Sequence, residues 1–118
     1  LMAEVATSPT NRRKLQAGKS LVTADMVERL EHEIDDLTGR TELPKDFVVP
    51  GGHPTAAALD LARTIVRRAE RLTVTTRVQD SLVPSYLNRL SDLLWAAARF
   101  AEGDVHTRVK DVGNEEKP

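Results

Sequence analysis

The chain contains no cysteine. Disulfides, zinc–thiolate sites and thiol catalysis are therefore excluded, and the composition fits a reducing interior such as the cytoplasm. Aromatic residues are almost as scarce, with one Trp, one Tyr and two Phe among 118 residues. Single-stranded nucleic-acid binders interleave aromatics with their basic residues, a pattern missing here. Seventeen basic side chains balance eighteen acidic ones for a net charge of -1, so no overall field favours nucleic acid or an anionic membrane. No apolar run approaches the roughly 20 residues of a membrane-spanning helix. The start, LMAEVATSPTNRRK, places its basic residues after a short apolar piece, the reverse of a signal peptide. A glycine-rich phosphate loop is also missing, since Pro50-Gly51-Gly52-His53-Pro54 lacks the lysine and the spacing of one. There is no Ser/His/Asp set, and His32, His53 and His106 show no metal-ligand spacing.

What is present is helical periodicity. The length suits one domain with a modest core, residues 1–118. LMAEVA reads either as the last turns of a helix, in a domain expected to lack its N-terminal segment, or as an ordinary short N-terminal helix. Residues 7–22 follow as a basic, Pro/Gly/Ser-containing linker expected to be mobile. From Thr23, a plausible N-cap, Met26, Leu30, Ile34 and Leu37 recur at helical spacing as far as a stop at Gly39, with acids on the other side. Residues 40–54 read as a loop with a short extended piece. A long helix is expected from about Thr55 to about Val78, frayed at its end by Thr73, Thr75 and Thr76. A last helix starts around Pro84 and stops at Gly103, with Leu87, Leu90, Leu94, Ala97 and Ala101 as its core stripe. The tail is a short extended segment at most. Three helices around one core make an all-α bundle.

The charged faces carry the functional question. In ALDLARTIVRRAER, residues 58–71, Arg63, Arg67, Glu70 and Arg71 share one face of the helix beside a core side of Leu59, Ala62, Val66 and Ala69. Arg68 projects towards Leu61, Ile65 and Leu72. Planar guanidinium forks match phosphate oxygens bidentately, and Glu70 can hold Arg67 or Arg63 in place. An ion-pair lattice to the acidic helix would account for the same charges. On the last helix Asn88, Asp92, Trp95 and Arg99 form a second polar-aromatic stripe. Asn88 offers a donor and an acceptor, as a base or ribose edge requires. Asp92 can orient Arg89, and Trp95 is expected in the core. Binding of RNA or DNA by the arginine helix lacks aromatic support.

FVVPGGHPTAAALDLARTIVRRAER, followed by YLNRLSDLLWAAAR, resembles the PduO-type ATP:cob(I)alamin adenosyltransferases, strongly over residues 44–100. The shared pattern is F-x-x-P-G-G, then A-R-x-x-x-R-R-A-E-R, then Y-L-N-R-L-S-D-x-L-[FW]. The resemblance implies a five-helix bundle assembled as a homotrimer, with Mg-ATP and cobalamin bound between subunits. Cob(I)alamin would attack the 5′ carbon of ATP, giving adenosylcobalamin and triphosphate. By match, Arg67, Arg68, Glu70, Arg71 and Asn88 belong to the ATP site, with Arg67 and Arg71 positioning the triphosphate. Phe47 belongs to the cobalamin pocket and Arg63 to an intersubunit salt bridge. A corrinoid reductase and an adenosylcobalamin-dependent enzyme are implied partners, with no nucleic acid, membrane or protein-held metal. His53 stands where the family usually has serine. The family's T-R-x-G-D-x-G-x-T phosphate-binding segment and first two helices have no counterpart here. A non-catalytic bundle of the same fold that binds nucleotide or corrinoid is the alternative.

Overall fold

The structure, a computed structural model, describes residues 1–44, 47–76 and 80–103. The expected extended tail and the last residues of the long helix, 77–78, lie outside them. Among the described residues the secondary structure is almost wholly helical. A short α1 (Met2–Ala6) and a 3-10 turn (Pro9–Lys14) precede three long helices, α2 (Ala24–Arg40), α3 (Pro54–Thr76) and α4 (Val83–Glu102). The segment read as a linker thus carries local structure. Gly18, at a φ of +78°, closes a turn in which its N–H donates to Leu21 C=O at 2.9 Å.

Helix boundaries follow local chemistry. Thr23 Oγ1 accepts the Met26 N–H at 3.4 Å, the expected N-cap of α2. Gly39 does not end that helix, which runs on to Arg40 and is capped by an extended Thr41. The last turn is supported by an Arg40–Asp36 pair at 2.9 Å, one turn apart. Pro54 opens α3, where a missing N–H costs nothing. Gly103, with φ +67° and ψ -135°, ends α4 in a conformation that only glycine enters without strain. At the end of α3, Thr73, Thr75 and Thr76 each donate a hydroxyl to the carbonyl three residues back. These bonds occupy the threonine hydroxyls of the β-branched run within the helix.

α4 is the shared partner, packed against both α2 and α3. Glu70 meets Asn88 and Asp60 meets Arg99, so α3 and α4 run antiparallel. Met26 and Val27 pack near Val83 and Leu87, while Arg40 lies over the Phe100 ring at 5.3 Å, so α2 and α4 run parallel. The core centres on Val22, Val83 and Leu87, with Val5, Val66, Ala69 and Tyr86 packed around them. The expected stripe on α4 needs correction. Leu87 is buried, but the other fully buried positions are Val83, Ser91, Ala96, Ala98 and Arg99, with Leu90, Leu94, Ala97 and Ala101 half-buried. Ser91, Ala96 and Ala98 among these are small residues, which let helices approach closely, and the leucines of α4 other than Leu87 stay partly exposed.

Glu4 ties the N-terminal segment to this core. Only 1% of the residue is exposed, yet its carboxylate accepts from the Val22 N–H at 2.8 Å, from Ser81 Oγ, and from Arg12 at 3.4 Å. Burial by itself pushes the Glu4 pKa up. The Ser81 and Val22 hydrogen bonds and the Arg12 charge outweigh it, and the net shift is downward. Residues 4, 12, 22 and 81 are thereby joined, and Ser81 Oγ in turn accepts the first N–H of α4, from Val83, at 3.2 Å.

Candidate functional site

Two polar clusters lie along the α3–α4 contact. At one end, Arg67 donates to Glu70 at 3.0 Å. Glu70 also accepts from Asn88 Nδ2 across the helix interface at 3.0 Å. Asn88 Oδ1 accepts from Arg89 at 2.6 Å, and Arg89 pairs with Asp92 at 2.8 Å. One continuous network therefore crosses from the arginine helix to the polar stripe of α4. Asp92 orients Arg89, as the spacing suggested. Glu70 chooses Arg67 over Arg63. Its two oxygens serve different helices, which makes it the hinge of the network.

Arg68 and Arg71 take no carboxylate partner among the described residues. Both are exposed. The acidic helix α2 does not neutralise them, because its own pairs are local, Arg40–Asp36 and His32–Glu28. The lattice reading of the arginine face thus finds no cross-helix ion pairs to α2 among the described residues. What remains is one anchored guanidinium, Arg67, beside two unpaired ones. Guanidiniums of this kind carry positive charge and planar N–H donors that match phosphate or carboxylate oxygens. A groove of about 430 Å³ runs beside it, bounded by Glu31, Glu70, Ser85, Asn88 and Arg89.

At the other end, a cavity of about 610 Å³ is lined by Phe47, Val48, Pro50, Asp60, Arg63, Trp95 and Arg99. Its size is that of a small-molecule site. Phe47 stands 89% exposed at its mouth, an aromatic surface with no cover of its own. Trp95, expected in the core, is instead half-buried in the cavity wall, with the Arg99 guanidinium 5.5 Å from its ring centre. Arg63 Nε is buried without a hydrogen-bond partner, although Asp60 is only three residues away. Asp60 turns to Arg99 instead, at 2.6 Å. His53, in the place expected for serine, occupies the capping position of α3. Its C=O accepts the Ala57 N–H at 2.7 Å, and its Nδ1 takes the Ala56 N–H at a long 3.4 Å.

The structure therefore brings Arg67, Glu70 and Asn88 into one bonded cluster, with Arg71 on the same face of α3 and Arg68 on the neighbouring stripe of Leu61, Ile65 and Leu72. Phe47 and Arg63 lie at a separate cavity. The two clusters are ten residues apart on α3 and eleven on α4, or roughly 15 Å along the helices. Sequence reasoning missed Asp60, whose single charge is lost within the apolar run AAALDLA. It placed Arg99 on the polar-aromatic stripe of α4 without giving it an acidic partner, and the residue is only 2% exposed. The one available signal was their pairing of opposite charge on two otherwise small-residue faces.

Fold and site together define a helical bundle with an arginine-rich face and, further along, a cavity of about 610 Å³. The chain belongs to the cobalamin adenosyltransferase family, whose model matches residues 1–101. It is 44% identical over 94 residues to the corrinoid adenosyltransferase of Bacillus subtilis, covering 77% of this chain and 48% of that protein. It is 43% identical over 91 residues to the corrinoid adenosyltransferase of Mycobacterium bovis, covering 71% and 47%. Among solved structures it resembles a PduO-type ATP:corrinoid adenosyltransferase variant from Lactobacillus reuteri complexed with cobalamin and ATP. The TM-score is 0.64 at 36% identity, covering 80% of this chain and 51% of that one. The chain spans about half the length of these relatives.

Proposed function

We propose that the protein works as an ATP:cob(I)alamin adenosyltransferase. The observation that carries this is the Arg67–Glu70–Asn88 network, which joins both sequence motifs of the resemblance into one cluster with Arg71 free beside it. In this reading Arg67, Arg68 and Arg71 receive the triphosphate of Mg-ATP. Glu70 holds Arg67, and Asn88 faces the nucleoside. Mg2+ arrives in this reading with the nucleotide, held mainly by its phosphates. Phe47 and its cavity take the corrinoid, about 15 Å along the bundle.

The chemistry suits a site built of arginines. The cobalt(I) electron pair of the corrinoid substrate forms the bond to C5′ of the ribose. The C5′–O bond breaks, and its electrons leave with triphosphate. No protein nucleophile or general base is needed. The work of the chain is to orient the two substrates and to stabilise charge building on the leaving group.

Assembly as a homotrimer belongs to the same proposal. Leu61, Ile65 and Leu72 are each more than half exposed along one face of α3, an apolar stripe of the kind that marks an interface. The partnerless buried Nε of Arg63 supports an acidic partner from a neighbouring subunit. A cytoplasmic location, a reductase that supplies cob(I)alamin and an enzyme that consumes adenosylcobalamin complete the reading.

An anaerobic assay with chemically reduced cobalamin and Mg-ATP tests it through the visible spectrum of adenosylcobalamin. The expected result is turnover that Arg67→Ala abolishes. Because Arg67 is a half-exposed surface pair, that variant should lose at most about 1 kcal/mol of stability. Normal turnover by Arg67→Ala would remove Arg67 from the site. Binding of both substrates without transfer would leave a non-catalytic bundle of the same fold.

A further inference from the structure

The cavity at Phe47 has a buried ionic floor that the nucleotide end lacks. Arg99 Nη2 donates to Asp60 at 2.6 Å and to Glu102 at 3.0 Å. Arg99 is 2% exposed and Asp60 5%. The pair joins α3 to α4 at the level of the cavity, and both residues line it. One turn before Arg99 on α4 stands Trp95, its ring against the guanidinium at 5.5 Å. Three residues after Asp60 on α3 stands Arg63, on the same cavity wall. The two helical walls of the cavity thus each carry a residue one turn from a member of the pair, and Phe47, Val48 and Pro50 line the rest.

A buried ion pair adds little stability compared with well-packed apolar residues, so burial energy alone does not explain its presence. It does impose geometry. A charge-assisted bond of this length tolerates little change in the spacing or register of the two helices. We infer that Asp60 and Arg99 are positioning residues for the corrinoid: they hold the Trp95 and Arg63 walls at the separation the ring-shaped substrate requires. This rests on the assignment of the cavity to the corrinoid. The nucleotide cluster has its own cross-helix bond, Glu70–Asn88, some ten residues away, so the two substrates depend on separate locks.

Trp95 is the only tryptophan of the chain and stands in the cavity wall, which provides a direct readout. Titration with hydroxocobalamin should quench its fluorescence, and calorimetry with Mg-ATP reports the other end. In Asp60→Ala the corrinoid Kd is expected to rise about tenfold or more, with the Mg-ATP Kd within about twofold of the parent. Asp60→Asn, which keeps the shape and one acceptor, should recover most of the corrinoid affinity. Arg99→Lys preserves the charge but not the fork, and stands in should Asp60→Ala fail to fold. It is expected to weaken corrinoid binding severalfold and leave Mg-ATP unaffected. Equal weakening of both ligands, or corrinoid affinity unchanged in Asp60→Ala and Arg99→Lys, overturns the inference while leaving the cavity assignment standing. Absence of quenching in the unaltered chain overturns the cavity assignment and the inference together.

Discussion

A single carboxylate, Glu4, shows how much one residue of this chain holds in place. It gathers donors from residues 12, 22 and 81 around a side chain withdrawn from water. Glu4→Gln keeps the shape but turns an N–H2 group towards donors that need an acceptor. The expected cost is about 1–3 kcal/mol in a urea melt at neutral pH. The pH dependence follows from the lowered pKa. The unfolded chain binds the Glu4 proton at higher pH than the folded one, so the contribution is full above the ordinary glutamate value. It fades as pH falls through the folded-state value. The stability gap between Glu4→Gln and the parent should therefore close on acidification, and a gap that persists unchanged in acid would show that the carboxylate charge is not the cause. Arg99 teaches a related lesson. An arginine on a predicted polar stripe became one of the most buried side chains because its acid partner sits opposite on α3.

At the scale of the element, α3 is two helices in one. Its Arg67, Glu70 and Arg71 face was legible from spacing, and so was the stripe of Leu61, Ile65, Arg68 and Leu72. The N-cap at Thr23, Pro54 at the start of α3 and Gly103 at the end of α4 were also readable, because caps depend on chemistry within one turn. The end of α2 was not, since a glycine inside the last turn is tolerated when an Arg40–Asp36 pair and Phe100 hold that turn. The cross-helix role of Glu70 leads to a test of α3 against α4. Glu70→Lys removes the acceptor of Asn88 and adds a fourth positive charge beside Arg67, Arg68 and Arg71. A loss of about 1–3 kcal/mol is expected by thermal or urea melting. An unchanged midpoint would mean that the Glu70–Asn88 bond contributes nothing to docking the helices.

For the whole molecule, the features left exposed matter as much as the core. Phe47, Leu61, Ile65 and Leu72 lie open to solvent in a chain with few large apolar residues to spare. Sedimentation at micromolar concentration is expected to show an assembly larger than one chain, which Ile65→Glu should dissociate while the helical circular dichroism stays unchanged. A monomer in both cases would remove the α3 stripe from any interface between copies.

The sequence alone determined the helical class, the three long helices and the clustering of positive charge on α3, because periodicity, caps and charge spacing act over a few residues. The family resemblance led to the expectation of one site for Arg67, Arg68, Glu70, Arg71 and Asn88, of which Arg67, Glu70 and Asn88 are bonded together in the structure. Only tertiary structure decided which carboxylate each arginine meets. Asp60 takes Arg99, Arg63 Nε finds no hydrogen-bond partner among the described residues, and Glu70 divides its oxygens between Arg67 and Asn88. Those choices depend on the antiparallel register of α3 and α4, set by packing between residues some twenty to forty positions apart, which no local pattern records.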